Sequence, residues 1–85
     1  MQLEFSTRYR KEYRKLPTKI KQQADERLRI FALHPFHPQL NNHILGGEYA
    51  GCRSINITGD YRAIFEIHGD VYVFIRIGTH PQLYG

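Results

Sequence analysis

The sequence predicts an α+β fold: an N-terminal strand, an antiparallel helix hairpin, then a three-stranded antiparallel meander, with the helices on one side of the sheet. Three observations predict it. Apolar residues recur at helical spacing between Tyr9 and Phe31. From Cys52 onward the pattern changes to stretches rich in β-branched and aromatic residues. Two turn signals, Thr58-Gly59-Asp60 and Gly69-Asp70, divide that region into three strands.

Each element has its own warrant. Gln2-Leu3-Glu4-Phe5 alternates polar and apolar residues, as a half-buried strand does. Ser6-Thr7 supplies a hydroxyl to cap a helix. Tyr9, Tyr13 and Leu16 then mark an apolar stripe, with Arg8, Arg10, Lys11, Arg14 and Lys15 between them as a basic outer face. Pro17 ends that helix and suits the first turn of the next. In the second helix Ile20, Ala24, Leu28 and Phe31 share a face, and Asp25 and Arg29 are spaced to pair one turn apart. Pro35 stops the helix near His34.

Residues 34–48 read as a long irregular segment, because His34-Pro35-Phe36-His37-Pro38 cannot sustain a ladder and Asn41-Asn42 and Gly46-Gly47 are turn residues. Leu40 and Leu45 are its expected anchors on the core. Cys52–Ile57 and Tyr61–His68 follow as strands. Val71–Ile77, apolar on both faces, reads as a central strand.

Eighty-five residues make one domain, residues 1–85, with no room for a second core. No apolar run reaches the roughly 20 residues that span a bilayer. Glu4 interrupts any apolar leader, so the expectation is a cytoplasmic protein without a membrane anchor. The single Cys52 fits a reducing compartment and reads as a small buried thiol. The net charge is +4, and it is uneven: residues 1–33 carry nine Lys/Arg against four Asp/Glu. Such a surface suits an anionic partner, either nucleic acid or an acidic protein segment, or is simply a solvated helix face.

The residues suited to chemistry form an acid–base set. Neither cysteine nor histidine spacing matches a metal site, and no glycine-rich phosphate loop is present, so no metal and no cofactor are expected. His80 follows the last strand and precedes Pro81, which predicts extended backbone and a ring projecting from the sheet edge. His43 lies in the irregular segment and Asp60 at a strand junction. Arg53, Arg62 and Arg76 fall inside strands, where an arginine must pair, stack or face a phosphate. These residue types suit RNA cleavage by the neighbouring 2′-hydroxyl, which needs a base, an acid and a cation. The structural alternatives are equally specific. Arg62 is placed to pair with Glu66, Arg76 with Glu66 or Glu48, and Asp60 to close its turn.

Four segments resemble the RelE/ParE toxin superfamily, and most of all its YafQ branch of mRNA interferases. They are Leu40–Gly47, with its His43-Ile44-Leu45-Gly46 core; Gly51-Cys52-Arg53; Gly59-Asp60-Tyr61-Arg62; and Gly78-Thr79-His80 followed by Tyr84. The resemblance implies a toxin that enters the ribosome and cuts mRNA without a cofactor. It implies an antitoxin partner, with the toxin a monomer alone or a hetero-oligomer with antitoxin. The matching functional positions are His43, Asp60, His80 and Tyr84 for catalysis, with Arg53 and Arg62 for the phosphate. Asn56 stands where that branch tends to carry histidine, and Tyr61 where it often carries tryptophan; both are expected at the RNA. Two alternatives accompany this reading: a ParE-like gyrase poison of the same fold, and a decayed toxin that only binds antitoxin.

Overall fold

The computed structural model describes residues 1–85. Strand β1 (Gln2–Phe5) leads into helices α1 (Thr7–Arg14) and α2 (Thr18–Leu33). A 3₁₀ turn (Pro38–Leu40), strand β2 (His43–Ile44) and a second 3₁₀ turn (Gly47–Tyr49) follow. Strands β3 (Arg53–Asn56), β4 (Tyr61–His68) and β5 (Val71–Thr79) precede a last helix, α3 (His80–Tyr84). No helix is long and apolar enough to cross a membrane.

The strands form one sheet in the order β1-β5-β4-β3-β2. The expected strand, helix pair and meander are all present, with three additions. The irregular segment contributes a two-residue edge strand, β2, antiparallel to β3. The first strand pairs in parallel with β5, which places β5 between two neighbours as its apolar sequence predicts. A third helix follows β5 and lies on the other face of the sheet, so the helices are not all on one side.

That assignment of faces follows from strand alternation. Ala63 belongs to the main core, with Tyr9, Ala24, Phe31, Leu40, Ile55, Phe65, Phe74 and Ile77. Ile64, one residue on, belongs to a separate small cluster with Cys52 and Leu83 of α3, flanked by Leu45, Tyr49 and Ile75. Helix α2 therefore covers one face and α3 the other. Phe31 anchors the first layer, its ring 4.9 Å from Phe65 and 5.2 Å from Phe74 in edge-on contacts. Both expected loop anchors pack, Leu40 in the main core and Leu45 on the small cluster.

Helix α1 continues where β1 leaves the sheet edge. Ser6 N–H donates to the Phe74 carbonyl at 2.9 Å, and the Ser6 hydroxyl donates to the Ile75 carbonyl at 3.0 Å. The Glu12 carboxylate then accepts from Ile77 N–H at 3.1 Å. An acidic side chain thus satisfies a strand donor that β1 is too short to reach.

Several pairings differ from those the spacing suggests. Asp25 accepts from the Tyr13 hydroxyl at 2.8 Å, across the two helices, instead of meeting Arg29. Arg76 meets neither Glu66 nor Glu48; its Nη2 lies 2.6 Å from Glu12 and its Nη1 donates to the Tyr49 hydroxyl at 2.8 Å. Arg62 donates to the carbonyls of Thr58 and Gly59 at 3.0 and 2.8 Å, and Glu66 faces His68 instead. Short-range spacing ranks neighbours in the chain, whereas these partners are brought up by the fold.

Candidate active site

Sheet register assembles the site. His43 of β2 is paired with Ser54 of β3, Asn56 with Arg62 of β4, and Arg62 with Gly78 of β5. Paired residues point to the same side of a sheet. His43, Ser54, Asn56 and Arg62 therefore share the face opposite α2, the face on which α3 lies.

Helix α3 brings the remaining two groups. The expected extended backbone at His80 is replaced by a helix start, because Thr79-His80-Pro81-Gln82 is a capping box with proline in the first turn. Thr79 N–H donates to Gln82 Oε1 at 2.8 Å, and Gln82 N–H donates to Thr79 Oγ1 at 3.3 Å. The helix folds straight back over Gly78: a β-carbon there would lie 2.8 Å from Gln82 Oε1. His80 N–H donates to the Asp60 carbonyl at 3.1 Å, tying the helix to the β3–β4 turn. His80 and Tyr84, one turn apart, have ring centroids 4.7 Å from each other.

Asn41, His43, Leu45, Arg62, His80 and Tyr84 line a single open cleft of about 390 Å³. His43 Nδ1 is 2.8 Å from the Asn41 carbonyl. A carbonyl only accepts, so Nδ1 is the donor in this contact, and Nε2 makes no hydrogen bond within the protein. The Asn41 carbonyl is set by a left-handed backbone at that residue, φ 48°, which asparagine tolerates. Arg62 spends Nη1 on the turn carbonyls, which fixes the guanidinium while Nε and Nη2 make no protein hydrogen bond. The Asn56 Oδ1 is buried without a partner beside it. Two histidines, a cation and an aromatic ring thus face one cavity large enough for a nucleotide.

The other expected site residues lie around or away from the cleft. Asp60 is exposed in the turn that receives His80, and its backbone carbonyl rather than its carboxylate makes that contact. Arg53 points to the opposite side of the sheet, donating to Asn42 Oδ1 at 2.8 Å and lying 5.2 Å over the Phe36 ring. Tyr61 packs against the main core and lines a different hollow with Glu12, Lys15 and Arg76. Two lining residues, Asn41 and Leu45, read in the sequence only as a turn residue and a loop anchor. A more apolar hollow of about 380 Å³, lined by Phe5, Tyr9, Tyr13 and Leu28 with Arg10, Arg14 and Asp25, holds no histidine. Cys52 is the buried thiol its composition suggests; burial, with Glu66 second, pushes its pKa up and keeps it protonated.

Comparison with known proteins bears on this arrangement. No curated protein matches the chain. Among solved structures, YafQ from Escherichia coli BL21(DE3) superposes with a TM-score of 0.84 at 19% identity, covering 99% of this chain and 98% of that one. YafQ in the E. coli DinJ–YafQ toxin–antitoxin complex gives 0.71 at 25% identity, covering 99% and 97%. The Mycobacterium tuberculosis RelBE2 toxin–antitoxin complex gives 0.69 at 26% identity, covering 93% and 90%. The family model for the YafQ bacterial toxin of type II toxin–antitoxin systems matches residues 1–85. From end to end of these residues, the chain belongs to the YafQ family of bacterial type II toxins.

Proposed function

We propose that this toxin is a ribosome-dependent endoribonuclease that cuts mRNA through the RNA's own 2′-hydroxyl. The observation that carries the reading is the convergence of His43, Arg62, His80 and Tyr84 on one cleft. His43 Nε2 takes the 2′-OH proton. The 2′ oxygen then bonds to phosphorus as the bond to the 5′ oxygen breaks, and His80 gives that leaving oxygen its proton. The products are a cyclic phosphate and a free 5′-hydroxyl. The free N–H groups of Arg62 stabilise the extra negative charge that phosphorus carries on the way. Tyr84 offers a ring for a base to stack on. Asp60, at the mouth of the same turn, is the second candidate for base. The Nδ1 contact of His43 favours His43, because it leaves the other ring nitrogen free. Arg53 and Tyr61, outside the cleft, would touch flanking RNA or ribosome rather than the scissile phosphate.

The basic surface of residues 1–33 suits ribosomal RNA, and the same charge suits an acidic antitoxin that competes for it. Solved relatives are complexed with antitoxins, which supports such a partner here.

The test is inducible expression without antitoxin, with mapping of mRNA 5′ ends for wild type and His80→Ala. Ribosome-phased cuts that vanish in the variant support the reading. Arrested growth with DNA breaks and intact mRNA would replace it with gyrase poisoning. Normal growth would mark the chain as a binding-only descendant.

A further inference from the structure

We infer that Tyr49, in the 3₁₀ turn before β3, is a positioning residue that sets the place of His80 in the cleft. The inference rests on the nuclease reading for its kinetic consequence and on geometry alone for its structural one.

Helix α3 has five residues, far too few to hold itself helical in water. Its pose is therefore set from outside. The capping box and the Asp60 carbonyl fix its beginning. Its end is held by the buried Leu83 side chain among Cys52 and Ile64 and oriented by Tyr49: the hydroxyl donates to the Leu83 carbonyl at 3.2 Å, and the ring meets Tyr84 edge-on with centroids 5.8 Å apart. Leu83 supplies one of the last-turn carbonyls that a helix leaves without an internal partner. Tyr84 in turn lies against His80. The imidazole rests on Tyr84, and Tyr84 rests on Tyr49.

Tyr49 is itself held. Its oxygen accepts from Arg76 Nη1 at 2.8 Å, so its own proton is committed to the Leu83 carbonyl. Arg76 is 9% exposed. Glu12 grips it through Nε at 3.1 Å and Nη2 at 2.6 Å. Glu12 is fixed to the β5 backbone through Ile77 N–H. The hydrogen bonds run in one direction, from the Arg76 donor through the Tyr49 hydroxyl to the helix carbonyl, and a charged donor at the start strengthens the next bond. Edge helix α1, strand β5 and the loop before β3 thereby converge on the helix that carries the candidate acid.

The test uses Tyr49→Phe, which deletes the hydroxyl and keeps the ring in its half-buried seat. Two readouts are taken on the purified full chain. The first is mRNA cleavage on programmed ribosomes. The second is the ring-to-ring nuclear Overhauser contact between His80 and Tyr84 in the free protein. The expected result is a fall in kcat of about fivefold, the worth of one ordinary hydrogen bond, with KM almost unchanged and a weakened ring contact. Tyr49→Leu, which also removes the edge-on ring, deepens both losses. Cleavage at the wild-type rate, or an unaltered His80–Tyr84 contact, would overturn the inference. If the wild type cuts nothing, the nuclease reading fails and the ring contact decides the role of Tyr49 by itself.

Discussion

At the scale of single residues, the cleft separates two kinds of histidine. His34, His37 and His68 are exposed and lie away from it, whereas His43 and His80 face it together with Arg62. If His80 delivers the proton to the leaving oxygen, His80→Ala lowers the cleavage rate by about a hundredfold or more. Stability should barely move, because the ring is exposed. Single-turnover cleavage on ribosomes, with a thermal melt alongside, checks both halves. The acid–base residue types and their spacing can be read in the sequence, but their aim only partly so. Alternation along Tyr61–His68 already places Tyr61 and Arg62 on opposite faces, and the structure puts only Arg62 in the cleft. The same alternation along Cys52–Ile57 puts Arg53 on the face of Ile55 and Ile57, away from Asn56, and the structure agrees. What the sequence does not describe is its partners, because Asn42 and Phe36 come from a loop whose path no periodicity describes.

At the scale of elements, the strands were legible where turn chemistry bounded them and the helices where apolar residues repeated. Two short elements were not. Strand β2 has two residues and exists only because β3 offers it an edge. Helix α3 was hidden because Pro81 reads as a signal for extended backbone in the residue before it. Here Thr79 and Gln82 close a capping box around that proline, and the box outweighs the local preference. The same geometry makes Gly78 the hinge of the site. Gly78→Ala drives a methyl to within 2.8 Å of Gln82 Oε1, the atom that accepts from Thr79 N–H. Oε1 is the end of a flexible side chain, so relief comes from Gln82 swinging away, which opens the box and loosens the start of α3. The expected outcome is a loss of about 1 kcal/mol of stability, comparable to a lost cap, with cleavage falling far more than stability does. Thr79→Ala should cost a similar amount through the same box. Urea unfolding and cleavage assays on both variants test this; a Gly78→Ala protein with wild-type activity would show that α3 does not need to lie where it does.

At the scale of the whole molecule, charge and core make separate predictions. If the toxin grips ribosomal RNA as proposed, the surplus of positive charge on residues 1–33 means that this binding should weaken steeply with salt, and charge-reversing substitutions on α1 such as Lys11→Glu should flatten that dependence. The core contributes a different sensitivity. Tyr9 is buried, and its hydroxyl has no hydrogen-bond partner. Burial first, then the Tyr13 hydroxyl and the Asp25 carboxylate, push its pKa well above the ordinary value of 10.0. Tyr13 is pushed up as well, chiefly by its hydrogen bond to Asp25. Below the ordinary value both phenols are protonated whether the chain is folded or not, and they add no pH dependence. Above it the unfolded chain releases protons that the folded chain keeps, so the unfolded state gains. Stability should therefore fall from about pH 10 upward, by about 1.4 kcal/mol per pH unit for Tyr9 while its folded form stays protonated. Tyr9→Phe removes an unpartnered hydroxyl and keeps the ring among Phe5, Tyr13 and Phe74. At neutral pH it should leave stability unchanged or raise it, since no hydrogen bond is lost. On the alkaline side it should remove the Tyr9 share of the decline and leave that of Tyr13. Urea unfolding of both proteins at a neutral and two alkaline pH values measures the difference. Parallel alkaline declines would mean that Tyr9 ionises as freely in the folded protein as in the unfolded chain, and that the packing of α1 against β1 and β5 opens to water at high pH.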